Sequence, residues 1–166
     1  MPEFRVFSDY QQIEVLDGAC QVVLADYWSR TDHPLHYQLA LAEDAVAIAT
    51  GVNGYIIVAI DVTDGPPADD TNVFEAVMEC SLRAGSGQLV LTSPTSGEDD
   101  GDRVDVPPGW LRLRISMTDL PDGASTAVEA DGSAGWQGVR IQCWPAAPTD
   151  PILIKGWDPE AQARFS

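Results

Sequence analysis

The chain has 166 residues, 45% hydrophobic and 21% charged, a globular composition that excludes a disordered protein. Twenty-six Asp and Glu stand against nine Lys and Arg, for a net charge of −17. A field of that sign repels phosphate, so no direct binding of nucleic acid or of an anionic membrane is expected; it attracts a basic protein partner, or serves solubility alone.

The length suits a single domain over residues 1–166, with residues 156–166 as a C-terminal tail. In chain order, residues 4–7 alternate as an edge strand would. Residues 12–16 read as a strand that meets the Asp17-Gly18 turn, and residues 20–25 as a second apolar strand, the two forming a hairpin. Residues 26–44 wrap the core as a loop, within which residues 35–42 fit a strand or a helical turn or two equally well. Residues 46–50 and 55–62 flank Gly51-Val52-Asn53-Gly54, a hairpin-loop composition. The run YIIVAIDV is apolar on both faces and predicts a central strand covered on both sides. Alanine alternating with larger residues in VAIAT predicts close packing of one layer on another.

Residues 63–71 hold two prolines and three aspartates and read as a loop. Over residues 72–84, Phe74, Ala76, Met78, Cys80 and Leu82 share one face at period two, with Glu75, Glu79, Ser81 and Arg83 opposite. A helix groups Phe74, Val77, Met78 and Leu82 nearly as well; strand is preferred because the neighbours are strands. Gly85-Ser86-Gly87 turns into a strand over 88–92. An acidic loop, 98–105, interrupts regular structure. Pro107-Pro108-Gly109 then turns into a strand with Leu111, Leu113 and Ile115 on one face and Arg112 and Arg114 on the other. Residues 118–135 form a long loop, residues 137–145 a strand and residues 152–154 a last apolar piece. About eight short strands with regular turns predict an all-β, antiparallel β-sandwich with long loops, a jelly roll being one form of it.

Candidate chemistry is sparse. Cys20, Cys80 and Cys143 are odd in number, widely spaced and without a CxxC, which suggests buried thiols in a reducing compartment. The stretch MPEFRVFSDYQQ lacks a signal-peptide core, and no apolar run nears the ~20 residues of a membrane helix, so a cytoplasmic protein is expected. Asp32, His33 and His36 have ligand chemistry, but Pro34 disrupts their spacing and no further ligand is marked, so a surface loop is the simpler reading. In Glu98-Asp99-Asp100-Gly101-Asp102, the position where a calcium loop needs its last carboxylate is Pro107, which leaves a solvated loop or a loose, low-affinity cation site. No nucleophile elbow, dinucleotide fingerprint or phosphate loop occurs, and neither a cofactor nor a catalytic residue is assigned.

One ordered series of segments carries a resemblance: DYQQIEVLD, the loop with Tyr27-Trp28, VAIAT, YIIVAIDV, SGQLVLTS and VPPGWLRLR. It resembles the competence-protein-J family, small acidic inhibitors of the DNA-entry nuclease, over residues 5–115. Tyr10, Gln12 and Val15 match that family's opening segment; Val106, Pro107, Gly109 and Trp110 match its late turn and strand; Ile13 stands where the family has an aromatic. The resemblance implies a non-catalytic β-sandwich that binds a protein, a nuclease among the candidates. Three functions follow. The first is an acidic inhibitor or immunity-type protein occupying its target's basic groove, with Asp61, Asp64, Asp69, Asp70, Glu98, Asp99, Asp100, Asp102 and Asp105 as partner-binding residues. The second is a carbohydrate-binding sandwich using Trp110, Trp136, Trp144 and Trp157. The third is a hydrolase built on a pair of carboxylates, for which no pair stands out.

Overall fold

The structure, a computed structural model, describes residues 2–30, 38–51, 53–95, 101–118 and 133–156, with backbone only from 133 to 137. The strands are β1 (Glu3–Ser8), β2 (Gln12–Asp17), β3 (Leu39–Leu41), β4 (Ala45–Ala49), β5 (Gly54–Val62), β6 (Ala76–Ala84), β7 (Gln88–Thr92), β8 (Asp102–Asp105), β9 (Gly109–Thr118), β10 (Ser133–Pro145) and β11 (Ile152–Lys155). They form two sheets, of order β1-β5-β10-β9-β6-β11 and β3-β4-β2-β7-β8. The inward faces of both supply one core, with Ile13, Val15, Ile48, Leu89 and Leu91 meeting Ile56, Val58, Met78, Leu113 and Ile141. This is the sandwich that the alternating strands predict. Among the described residues all ladders are antiparallel except β5 with β10, whose parallel register sets Val58 beside Val139 and Ile60 beside Ile141.

The strand after Pro107-Pro108 forms as expected. Gly109 has φ +118°, a conformation that side chains disfavour, and it aims β9 between β6 and β10. Leu111, Leu113, Ile115 and Met117 then point inward, buried. Residues 76–84 are strand, not helix, because β9 offers a continuous ladder from Ala76↔Met117 to Ala84↔Gly109.

Four local expectations are corrected. Residues 20–25 do not pair with β2, whose two edges are taken by β4 and β7. They run instead into a short 3-10 helix, Leu24–Tyr27, laid over the outer face of the five-stranded sheet. That face is made shallow by Ala40, Ala45 and Ala47, and Cys20 and Leu24 fill it. The alanine alternation does mark close packing, but of this segment and not of the opposite sheet. Second, β4 and β5 are no hairpin: each pairs within a different sheet, and the chain changes layer through Gly51 (φ +74°) and Gly54 (φ +148°). Third, β5 is covered on one side only, since Tyr55 and Ile57 are exposed while Ile56, Val58 and Ile60 are buried. Fourth, the acidic loop is not wholly irregular, because Asp102–Asp105 pairs with β7. Gly101 permits that entry: a Cβ there would stand 2.6 Å from the Leu91 carbonyl oxygen.

The β1–β2 connection is a two-residue turn closed by mutual backbone bonds between Asp9 and Gln12, of 3.1 and 3.0 Å. Its central residues, Tyr10 (φ 52°) and Gln11 (φ 58°), both have left-handed backbone. This geometry is that of a type I′ turn, which favours Asn-Gly; a larger side chain there costs about 1–2 kcal/mol per residue. Asn53 Oδ1 accepts from Gln11 N at 2.9 Å, and Thr50 N donates to Gln11 O at 2.8 Å, which holds the turn in place.

Candidate functional site

Alternation sends Arg112, Arg114, Arg140, Glu79 and Ser81 to the outer face of the six-stranded sheet, where neighbouring strands set them side by side. Glu79 lies between two guanidiniums: Arg112 Nε donates to its Oε1 at 3.2 Å and Arg114 Nε to its Oε2 at 2.9 Å. All three side chains are nearly closed to solvent. Two straps cover them. Residues 63–75 leave β5 and cross β10 and β9 to reach β6; Arg114 Nη1 donates to Pro67 O at 3.3 Å and Arg140 forms a two-point pair with Asp70, both distances 2.7 Å. Residues 146–151 cross β9 and β6 to reach β11, and Arg112 donates to Thr149 O and Asp150 O at 3.1 and 2.9 Å. The arginines thus tie otherwise irregular chain to the sheet.

The expected acidic residues therefore divide. Asp70 is committed to Arg140, and that guanidinium, more than any other influence, holds its carboxyl below the usual range against the opposing effect of burial. Asp69 accepts from Thr71 N at 3.0 Å, and its hydrogen bonding to Thr71 lowers its carboxyl in the same direction. Asp61 is half-buried and Asp64 exposed at the end of β5. Asp102 and Asp105 are exposed on β8, an edge of the other sheet, with Asp105 accepting from Gln88 Nε2 at 3.0 Å. Glu98, Asp99 and Asp100 lie outside the described residues, as do Asp32, His33 and His36. The set does not form one surface among the described residues: Asp69 and Asp70 sit on the strap over one sheet, Asp102 and Asp105 on the rim of the other.

Of the four tryptophans, Trp136 and Trp157 have no described side chain. Trp144 is buried, with Arg114 5.6 Å above its ring, and Trp110 is half-buried, so neither is an open platform for a sugar. The three thiols are buried, and burial pushes Cys20 and Cys143 up to about 11 and Cys80 to about 12. They are protonated at neutral pH and poor nucleophiles. A recess of about 420 Å³ opens between Asp17, Tyr27, Glu43, Asp44 and Arg83. Asp17 there receives Ser86 N and Oγ at 3.0 and 2.7 Å, and Glu43 pairs with Arg83 at 3.1 Å. Glu14, half-buried on β2, has its carboxyl raised by desolvation.

Sequence reasoning overlooked an exposed cluster on the outer face of β1 and β5. Phe7 and Tyr55 meet edge to face at 5.0 Å, and Arg5 stacks 4.2 Å from the Tyr55 ring centre. The signal was present: apolar residues occupy both phases of YIIVAIDV. That pattern equally describes a strand covered on both sides, and only the strap's path, over β10 but not over β5, leaves Tyr55 and Ile57 bare.

The Asp70–Arg140 pair gives a pH signature. A depressed folded pKa contributes stability that is complete above the unfolded value, near 4, and is lost as pH falls through the folded one. Asp70→Asn is therefore expected to lose about 1 kcal/mol at neutral pH, after allowance for partial exposure. Its deficit relative to the unmodified chain should shrink as pH falls below the unfolded value and vanish once the folded chain's Asp70 is itself protonated. Urea unfolding of both proteins at several pH values measures this, and a deficit independent of pH would show that the pair contributes nothing through its charge.

By sequence, the chain matches no protein-family model and no curated protein. By structure it is similar to the protein titled Crocagin biosynthetic gene J, with TM-score 0.57 and 21% identity over 87% of this chain and 96% of that one. It is also similar to ComJ of Bacillus subtilis, an inhibitor of the DNA degrading activity of NucA, with TM-score 0.53 and 12% identity over 86% and 95%. The likeness read from short segments over residues 5–115 is thus met in three dimensions over a longer span: this chain has the fold of ComJ.

Proposed function

We propose that the chain is a non-catalytic binding module whose partner is a basic protein, and that a nuclease, inhibited by occupation of its phosphate-binding groove, is the target class. The supporting observation is the disposition of its cations. All but Arg164 lie among the described residues, and each has a partner within the chain. Arg112, Arg114 and Arg140 serve the straps. Arg83 pairs with Glu43, Arg103 donates to Gln88 Oε1, and Lys155 donates to Phe74 O. Arg5 and Arg30 lie over tyrosine rings. The three strap arginines face two carboxylates, Glu79 and Asp70, so the surface is more acidic than the total of −17 states. Such a surface accelerates encounter with a cationic groove and weakens with salt. The ComJ fold accords with this reading.

The test immobilises the chain, exposes it to extract of its own cell at low ionic strength and elutes with salt. The expected eluate is a basic protein that degrades DNA and is inhibited when free chain is added back. Asp64→Asn, Asp102→Asn and Asp105→Asn combined should slow association about tenfold and flatten its salt dependence. An eluate without nuclease activity overturns the nuclease assignment; capture insensitive to salt overturns the electrostatic basis.

A further inference from the structure

Resting on the reading of an acidic module with a basic protein partner, we propose that the bare face of β1 and β5, together with the Tyr10 turn, is the anchor of that interaction. Its partner presents an apolar pocket ringed by Lys and Arg. Five side chains carry the assignment: Arg5, Phe7, Tyr10, Tyr55 and Ile57. On β1 and β5 the register pairs Phe7 with Tyr55 and Arg5 with Ile57, so four of them form one block. Phe7, Tyr55 and Ile57 stay 41%, 37% and 40% exposed although they are large and apolar, and Tyr10 is 72% exposed. Over β10, β9 and β6 the outer face is covered by the straps, whereas the far edge strand β11 also leaves Ile152 and Ile154 exposed but carries no aromatic residue. Exposed aromatics beside an arginine have the composition of interface hot spots. The edge-to-face pair and the stacked guanidinium fix the rings before any partner arrives, so little rotamer freedom is lost on binding.

The turn adds a second, separate observation. Tyr10 and Gln11 hold a backbone conformation that their side chains disfavour, where Asn-Gly would sit without strain. The turn is nevertheless over-determined: Asp9 Oδ1 accepts from Tyr10 N at 3.0 Å, Asp9 Oδ2 from Thr95 Oγ1 at 2.7 Å, and Asn53 Oδ1 from Gln11 N. The fold thus retains a tyrosine at an exposed turn where stability alone prefers another residue. Charge identifies the occupant. Asp9 borders the block at one end, and Glu3 with Asp61 continues the same face at the other, so an apolar centre is bordered by carboxylates. An acidic border against a net charge of −17 repels a second copy of this chain and accepts a cationic rim.

Two measurements test this on the full chain. Hydroxyl-radical footprinting compares the chain alone with the chain in low-salt extract of its own cell. Protection of Phe7, Tyr10 and Tyr55, with Trp110 and Tyr27 unchanged, is the expected result. Protection confined to β8 or the 63–75 strap overturns the anchor and leaves the binding-module reading standing; no protection anywhere overturns both. The second measurement is the double variant Tyr10→Asn/Gln11→Gly. It is expected to raise Tm by roughly 3 °C or more, because it relieves the turn, while capture of the basic protein falls at least tenfold. A variant that gains stability and binds as before shows the turn to be structural only.

Discussion

Glu79→Ala is expected to cost about 3–5 kcal/mol of folding stability and to lower Tm by roughly 10 °C. The side chain is one carboxylate between two guanidiniums, Arg112 and Arg114, in a place that water barely reaches. Removing it leaves two buried cations facing each other with no anion between them, and desolvated unpaired charge is among the costliest defects a fold can carry. The effect extends outward, because the same arginines hold Pro67, Thr149 and Asp150 through their carbonyl oxygens. Loss of amide protection should accordingly appear first in residues 63–75 and 146–151, before the sheets open. Glu79→Gln, which keeps an acceptor for one arginine, should cost less than the alanine. Urea unfolding with hydrogen exchange measures both, and a loss under 1 kcal/mol for Glu79→Ala would mean that the cluster is solvated and does not secure the straps.

Leu113→Ala is the second large expected effect, about 2–5 kcal/mol. Leu113 lies on β9, with Cys80 of β6 and Cys143 of β10 as its register neighbours. It is fully buried, and both flanking side chains are short. Neither can reach into the space left by the removed methyl groups, so the cavity stays open and the cost falls in the upper part of that range. The midpoint of urea unfolding should shift with its slope unchanged. A loss below 1 kcal/mol would require the opposite sheet to close the gap.

What the chain displays locally, its structure repeats. Alternation in residues 110–117 and, Val77 apart, in 76–84 gives β9 and β6 with the predicted inward faces, because period two against a ladder leaves a single way to bury the leucines. Pro107-Pro108-Gly109 announces its turn for the same local reason. Pairing is a different matter. VAIAT and YIIVAIDV flank a loop of hairpin composition yet belong to different sheets, since a turn sequence specifies a reversal and not the layer in which the next strand finds its partner. Residues 20–25 have strand composition but meet a β2 whose edges are already filled, so they cover a face instead.

The candidate site divides along the same line. Sequence alone determines the acidic excess, the short alternating strands and hence a two-layered β fold, because charge is additive and alternation is read two residues at a time. Only tertiary structure decides that Asp70 belongs to Arg140 and Glu79 to Arg112 and Arg114, and that Tyr55 and Ile57 face outward uncovered. Those outcomes depend on where two straps, joining strands far apart in the chain, cross the sheet: the strands they tie are neighbours only after folding, and no local pattern encodes a path laid over a surface that the rest of the chain must first build.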